Sequence, residues 1–125
     1  MGSRGRPVEA HQILIVDDDV VFREGLQMVL SEYYAAVMTS GSGSEAVALA
    51  EALAPDVVLI DPDAGGLESA RRIKGQRPAT RLILLSVYDR YLAAAADAGA
   101  DGYLLKGGPV EELLAAIRRP AQPLE

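Results

Sequence analysis

A serine, a lysine and several aspartates stand where short apolar runs stop. Ile13-Leu14-Ile15-Val16 runs into Asp17-Asp18-Asp19, and Val57-Val58-Leu59-Ile60 runs into Asp61. Leu82-Ile83-Leu84-Leu85 runs into Ser86, and Tyr103-Leu104-Leu105 into Lys106. Clustered carboxylates repel one another unless a cation sits among them. Oxygen-only donors suit Mg2+, which keeps several waters and takes one or two carboxylates. A lysine offers a point charge to a phosphoryl group, and a serine offers its hydroxyl to a phosphoryl oxygen. Brought together, these groups describe a site at which a carboxylate accepts a phosphoryl group while a metal and an ammonium offset the developing charge.

Each residue alone has a plainer reading. Three aspartates after a strand usually make a solvated turn and a helix cap. Asp61 before Pro62 is a common turn opener, and Ser86 and Lys106 read singly as turn and surface residues. Only their conjunction points to phosphoryl chemistry, and that conjunction depends on the elements that would position them.

Short apolar runs rich in Val and Ile read as strands buried on both faces, as in the middle of a parallel sheet. The predicted strands are Ile13–Val16, Ala36–Thr39, Val57–Ile60, Arg81–Leu85 and Gly102–Leu105. Helices are expected between and after them. The first spans Val20–Tyr34, with Phe22, Leu26, Val29 and Leu30 on one stripe and Asp19 as N-cap. The second spans Glu45–Leu53, with Ser42 and Glu45 as a capping box. A third runs from Leu67 to about Gly75, and a fourth from Asp89 to Ala98 with Gly99 as its C′ residue. The last starts near Pro109 and ends near Arg119. This alternation gives an α/β domain with a parallel sheet and helices on both faces. The flavodoxin-like strand order 2-1-3-4-5 is the favoured topology. It makes the first and third strands neighbours, so that Asp17, Asp18 and Asp61 meet at the switch point. Ser86 and Lys106 then stand at the same sheet edge.

Composition narrows the function further. At 125 residues the chain fits one domain. Lys+Arg is 12 against Asp+Glu 18, and a net charge of −6 argues against a nucleic-acid footprint on this segment. With no cysteine, thiolate metal sites and cysteine nucleophiles are excluded. No apolar run approaches membrane-spanning length, and the arginines near the N-terminus precede no signal-peptide core. A cytoplasmic location is the default expectation. His11, the single histidine, reads as a surface residue before the first strand. Residues 1–11 read as a disordered lead, 12–119 as the domain, and 120–125 as a linker or tail.

The residues together resemble the receiver domain of bacterial response regulators. The resemblance rests on Ile13–Asp18 as the opening strand with its acidic pair and on Pro55–Asp61 as a phosphoacceptor strand. It rests also on Ala98–Lys106 as the fifth-strand signature and on Glu111–Ile117 in the last helix. Phe22-Arg23-Glu24-Gly25-Leu26 is similar to the branch with a LuxR-type helix-turn-helix output. The resemblance covers roughly 12–119 and implies a CheY-like fold. It implies that Asp61 is the phosphoacceptor and that Asp18 ligates Mg2+ directly, with Asp17 acting mostly through water. Asp63 would lend a backbone carbonyl to the metal, so that Asp17, Asp18, Asp61 and Asp63 form the metal set. Ser86 and Lys106 would bind the phosphoryl group, and Tyr103 would swing inward when Ser86 moves. The implied partners are a sensor histidine kinase, a possible second copy, and DNA only through an output domain absent from this chain. No membrane partner is implied. The implied activity is a phosphoacceptor switch in a two-component phosphorelay serving transcription regulation. It is not a classical enzyme and has at most slow self-dephosphorylation.

The sequence departs from the family pattern near the site. The loop from Asp61 to Gly66-Leu67-Glu68 is short and lacks Met-Pro, and the stretch from Ser86 to Lys106 is short too. Pro62 has no N–H to offer a phosphoryl group, and Gly107 replaces a frequent proline. An alternative reading follows: an atypical receiver acting as a phosphorylation-independent protein-interaction module. A third reading comes from Asp61-Pro62-Asp63, which has a faint likeness to haloacid-dehalogenase phosphatases. Here, however, the acidic pair precedes the aspartate and no cap is encoded.

Overall fold

The computed structural model describes residues 9–63, 65–122 and 124. Strands β1 (Glu9–Val16), β2 (Tyr34–Ser40), β3 (Val57–Ile60), β4 (Arg81–Ser86) and β5 (Gly102–Leu105) alternate with five helices. These are α1 (Val20–Leu30), α2 (Gly43–Leu53), α3 (Gly66–Gln76), α4 (Leu92–Asp97) and α5 (Val110–Arg118). The sheet order is β2-β1-β3-β4-β5 with every pair parallel, the expected 2-1-3-4-5 arrangement.

Side chains alternate across a strand, so each apolar run feeds two cores. Leu14, Val16, Val58, Ile60, Leu82 and Leu84 pack with Ala46 and Ala50 of α2, Ala70 and Ile73 of α3, and Ala95 of α4. Ile13, Ile15, Val57, Leu59, Ile83 and Leu85 pack on the other face with Leu30 of α1 and Leu113, Leu114 and Ile117 of α5. All four residues of β3 and all six of β4 are buried. That explains why these strands carry unbroken apolar runs rather than alternating ones.

Register does the positioning. Val16 pairs with Ile60, so the next residues, Asp17 and Asp61, leave the sheet side by side. Ser86 pairs with Leu105, so Lys106 emerges beside Ser86 and donates its backbone N–H to the Ser86 carbonyl at 2.8 Å.

Several boundaries differ from expectation. α1 ends at Leu30, and Glu32 and Tyr33 tighten its last turn with N–H bonds to Val29 and Leu30 carbonyls. Tyr34, expected in the helix, starts β2 and is 1% exposed. β1 begins at Glu9, so residues 9–11, expected in a disordered lead, belong to the sheet; residues 1–8 lie outside the described set. His11 is therefore in β1, with its Nδ1 3.9 Å from Asp56 Oδ2. α4 is six residues long and starts three positions later than its sequence predicts. It closes as expected on Gly99 at φ +84, with Gly99 and Ala100 donating to Ala96 and Ala95 carbonyls.

The opposite sheet edge is held by buried charge. Lys74 Nζ pairs with Asp101 Oδ2 at 2.8 Å and donates to the Pro78 and Thr80 carbonyls at 2.7 and 2.8 Å. The Arg81 guanidinium donates to the carbonyls of Ala116, Pro120 (2.9 Å) and Asp101 (3.4 Å). Burial lowers the Arg81 pKa, and the Asp101 charge opposes that shift. Leu124 donates its N–H to the Ala100 carbonyl at 2.8 Å and packs on the α2–α4 side of the core. The stretch expected to be a linker, 120–125, is thus tied to the domain at Pro120 and Leu124. Pro123 and Glu125 lie outside the described residues.

Candidate phosphoryl site

Asp17 is the first residue past β1 and is 3% exposed. Its Oδ1 accepts the Asp19 N–H at 2.9 Å, and its Oδ2 pairs with Lys106 Nζ at 2.7 Å. Asp19 is turned the other way and caps α1, accepting the Phe22 N–H at 3.1 Å. The acidic run therefore divides its work between a buried partner for lysine, an exposed Asp18 and a helix cap.

Asp61 is the first residue past β3. Its N–H continues the ladder to the Val16 carbonyl at 3.0 Å. Pro62 has no N–H, so Asp61 Oδ1 takes the donor one residue further on, Asp63 N–H, at 2.7 Å. Asp61 Oδ2 pairs with Lys106 Nζ at 2.6 Å. The short loop then turns sharply into α3. A Cβ at Gly66 would lie 1.7 Å from the Asp61 carbonyl oxygen, so glycine alone fits there.

Lys106 bridges both carboxylates, and its Nζ also lies 4.4 Å from the centroid of the Phe22 ring. Burial alone would lower its pKa. The hydrogen-bonded carboxylates of Asp17 and Asp61 outweigh that and hold it above the ordinary lysine value.

Asp17, Asp18, Asp61 and Asp63 line one small cavity with Val16, Gly41, Gly43 and Gly66. Its volume of about 20 Å³ holds one water-sized occupant. Among the described residues no three His, Cys, Asp or Glu side chains converge as a ready-made metal cage. A hard cation that keeps its waters needs only one or two carboxylates, and the cavity supplies oxygen donors of that kind. The residues fit Mg2+ in that sense. Asp18 is exposed, and Asp61 could exchange lysine for metal. Both Asp17 oxygens are already engaged. The Asp63 carbonyl, the expected backbone donor, accepts the Gly66 N–H at 3.0 Å and retains a second lone pair.

Ser86 and Tyr103 stand apart from this cavity. Ser86 is fully buried, and its Oγ accepts the Tyr88 N–H at 3.0 Å, leaving its own proton to donate. The Tyr103 hydroxyl donates to the Tyr88 carbonyl. One residue, Tyr88, is therefore held by both expected switch residues, by Ser86 at its N–H and by Tyr103 at its carbonyl.

Sequence reasoning missed four contributors. Phe22 underlies Lys106, and Arg23 donates to the Asp17 carbonyl at 2.7 Å. Gly66 permits the tight turn, and Tyr91 donates its hydroxyl to Asp63 Oδ1. Gly66 carried a turn signal only, and Tyr91 none, because its partner is 28 residues away. A larger apolar cavity of about 410 Å³ lies between α1 and α5 beyond Lys106, and none of the four cavity aspartates lines it.

Comparison with known proteins bears on this geometry. The family model for the response regulator receiver domain matches residues 13–118. The transcriptional regulatory protein YdfI of Bacillus subtilis is 38% identical over 119 residues, covering 86% of this chain and 55% of that protein. The chain spans about half the length of the curated relatives it matches. A crystal structure of a LuxR-family two-component response regulator from Aurantimonas superposes with a TM-score of 0.78. It is 31% identical, with 87% of this chain and 83% of that one covered. A response regulator from Burkholderia pseudomallei, solved with a phosphorylated aspartic acid, calcium and citrate, superposes with a TM-score of 0.76 at 32% identity. That match covers 86% of this chain and 66% of that one.

Proposed function

The chain belongs to the response regulator receiver family of two-component systems, among relatives of the LuxR type, and on that premise we propose that it accepts a phosphoryl group on Asp61 from a sensor histidine kinase. The observation that carries the reading is the shared ammonium: Lys106 Nζ touches Asp61 at 2.6 Å and Asp17 at 2.7 Å. A lysine so placed offsets part of the charge of the two resting carboxylates and stays beside the phosphoryl oxygens as they arrive. Mg2+ would be held by Asp18, Asp61 and the Asp63 carbonyl, with Asp17 steadying the site. Bound there, it would supply charge neutralisation on the phosphoryl oxygens.

Ser86 donates its free proton toward the phosphoryl group. Movement of its Oγ pulls on the Tyr88 N–H and, through the Tyr88 backbone, on the carbonyl that Tyr103 holds. The surface formed by β5 and α4 then changes, with dimerisation or a downstream transcriptional output as the consequence. The domain is a switch rather than an enzyme, with at most slow loss of its own phosphoryl group. DNA is reached through an output domain, in keeping with relatives about twice this length. Among the described residues no helix is long and apolar enough to cross a membrane, and a cytoplasmic site of action suits the proposed partners.

One observation favours a second reading, in which the fold signals by protein contact alone. Pro62 removes a donor beside Asp61, and Asp61 spends one oxygen on the Asp63 N–H. Titration with beryllofluoride and Mg2+, followed by amide NMR, separates the two readings. Saturable, Mg2+-dependent shifts at Asp61, Ser86 and Lys106, absent in Asp61→Asn, are expected of a working receiver. Mg2+ shifts without a beryllofluoride response would reject phosphoryl acceptance in favour of the contact-only module.

A further inference from the structure

The switch described above runs through Ser86 and Tyr103, yet the head of α4 has a second attachment. Tyr91 is the residue from which α4 departs, and no side chain caps that end of the helix. Its backbone N–H donates to the Tyr103 hydroxyl at 3.3 Å. Its own hydroxyl donates to Asp63 Oδ1, across the gap between the β4–α4 and β3–α3 loops. Asp63 in turn donates its N–H to Asp61 Oδ1 at 2.7 Å and lines the acidic cavity. Arg90 steadies the same loop, its guanidinium lying 4.0 Å from the Tyr88 ring centroid and 5.2 Å from that of Tyr91.

The start of a six-residue helix is therefore held from two directions. Tyr103 holds its backbone from the Ser86 side. Asp63 holds its side chain from the cavity side. We propose that Tyr91 is a positioning residue that ties the head of α4 to the β3–α3 loop through Asp63. A divalent cation entering the acidic cavity then moves α4 without passing through Ser86. The inference rests on the receiver reading. Its physical basis is competition for one carboxylate. A cation drawn to the cavity attracts the Asp63 carboxylate, which is Tyr91's hydrogen-bond acceptor, and reorients the Asp63 backbone, whose N–H is bonded to Asp61 Oδ1. The bond to Tyr91 must lengthen, break or pull α4 with it. Val87 and Leu92, both exposed apolar residues flanking Tyr91's loop, would change their presentation to a partner. Two inputs, cation and phosphoryl group, thus reach one helix by separate side chains.

The test compares amide spectra of the full chain, Tyr91→Phe and Asp63→Ala, titrated with Mg2+ alone and then with beryllofluoride. Tyr91→Phe keeps the ring and removes the hydroxyl, which donates to Asp63 and also accepts from the exposed Arg90 guanidinium at 3.4 Å. In the unmodified chain Mg2+ alone should shift Gly65, Gly66 and the Tyr91–Ala95 amides. In Tyr91→Phe the Gly65 and Gly66 shifts should persist while the α4 shifts are lost, and beryllofluoride should still move Ser86 and Tyr103. Asp63→Ala should lose the same α4 shifts, and combining the two changes should lose nothing more, since both break one bond. Equal α4 shifts in Tyr91→Phe and the unmodified chain would overturn the tie, as would Mg2+ shifts confined to the Asp61 loop in the unmodified chain. An unmodified chain with no Mg2+ response would overturn the metal site and the tie together. A Mg2+ response in α4 that Tyr91→Phe loses, without any beryllofluoride response, would uphold the tie and sink phosphoryl acceptance alone.

Discussion

Replacing Lys106 by methionine keeps the length of the side chain and removes its charge. In the native protein the ammonium sits 2.7 Å from Asp17 Oδ2 and 2.6 Å from Asp61 Oδ2. The side chains of Lys106, Asp17 and Asp61 are 10%, 2% and 12% exposed. At an effective dielectric of about 20, each contact corresponds to a gross attraction of about 6 kcal/mol. Desolvation of the three groups offsets much of that. The measured cost of removing one partner from a buried pair is about 3–5 kcal/mol, because the remaining charge is left uncompensated. Lys106→Met should therefore lose about 3–5 kcal/mol in metal-free buffer near pH 7. With a urea slope of about 2 kcal/mol per molar, the midpoint falls by roughly 2 M. Saturating Mg2+ should restore part of the loss, since a ligand at a hundredfold its Kd contributes about 2.7 kcal/mol. The variant should gain more from the metal than the native protein, whose lysine competes for the same oxygens. The sign with pH follows from the raised pKa of Lys106. The pair is fully present below the ordinary lysine value of 10.5 and is lost as pH rises through the higher folded value. The native protein should lose stability on that alkaline limb, and Lys106→Met should lack it. Urea unfolding followed by circular dichroism, in chelator and in Mg2+, reads all of this. A loss below about 1 kcal/mol, or a loss unaffected by Mg2+, would refute the reasoning, because the carboxylates would then not depend on the lysine for compensation.

Other perturbations separate the site from its scaffold. Gly66→Ala would drive a Cβ to 1.7 Å from the Asp61 carbonyl oxygen, so the loop must shift. It should cost about 1–3 kcal/mol and weaken Mg2+ binding, both readable in one unfolding series with and without metal. Lys74→Met breaks the buried pair with Asp101 at the far sheet edge and should cost about 3–5 kcal/mol with no recovery in Mg2+. Ser42→Ala removes the acceptor for the Glu45 N–H at the start of α2 and should cost about 1 kcal/mol in thermal unfolding.

The strands that carry the chemistry were the most legible part of the chain. Val57–Ile60 and Gly102–Leu105 have the bounds their sequences predict, because a short apolar run that ends on a polar residue needs no distant information to be read. Convergence of Asp17, Asp61 and Lys106 followed from strand order alone. What the sequence concealed depends on pairing across the chain. Tyr34 continues the helical spacing of Leu30, yet it pairs with Glu9 in the sheet. The predicted fourth helix overran at its start because Tyr88 and Tyr91 are held by Tyr103 and Asp63, partners that no local window contains. The capping box at Ser42 is half made. Ser42 Oγ accepts the Glu45 N–H as expected, but Glu45 Oε1 accepts from Ser40 Oγ at 2.6 Å instead of reaching back to the Ser42 N–H. The alanine-rich α4 carried no sign of its tie to Asp63, since neither residue is unusual in its own segment.

The central claim is that Asp61 accepts a phosphoryl group despite the short loop behind it. The most direct measurement is intact-mass spectrometry of the chain after incubation with a small acyl phosphate and Mg2+, followed by peptide mapping of the adduct. One phosphoryl group per chain is expected, located on Asp61, dependent on Mg2+ and missing from Asp61→Asn. An unmodified chain under those conditions, or an adduct that persists in Asp61→Asn, would contradict it.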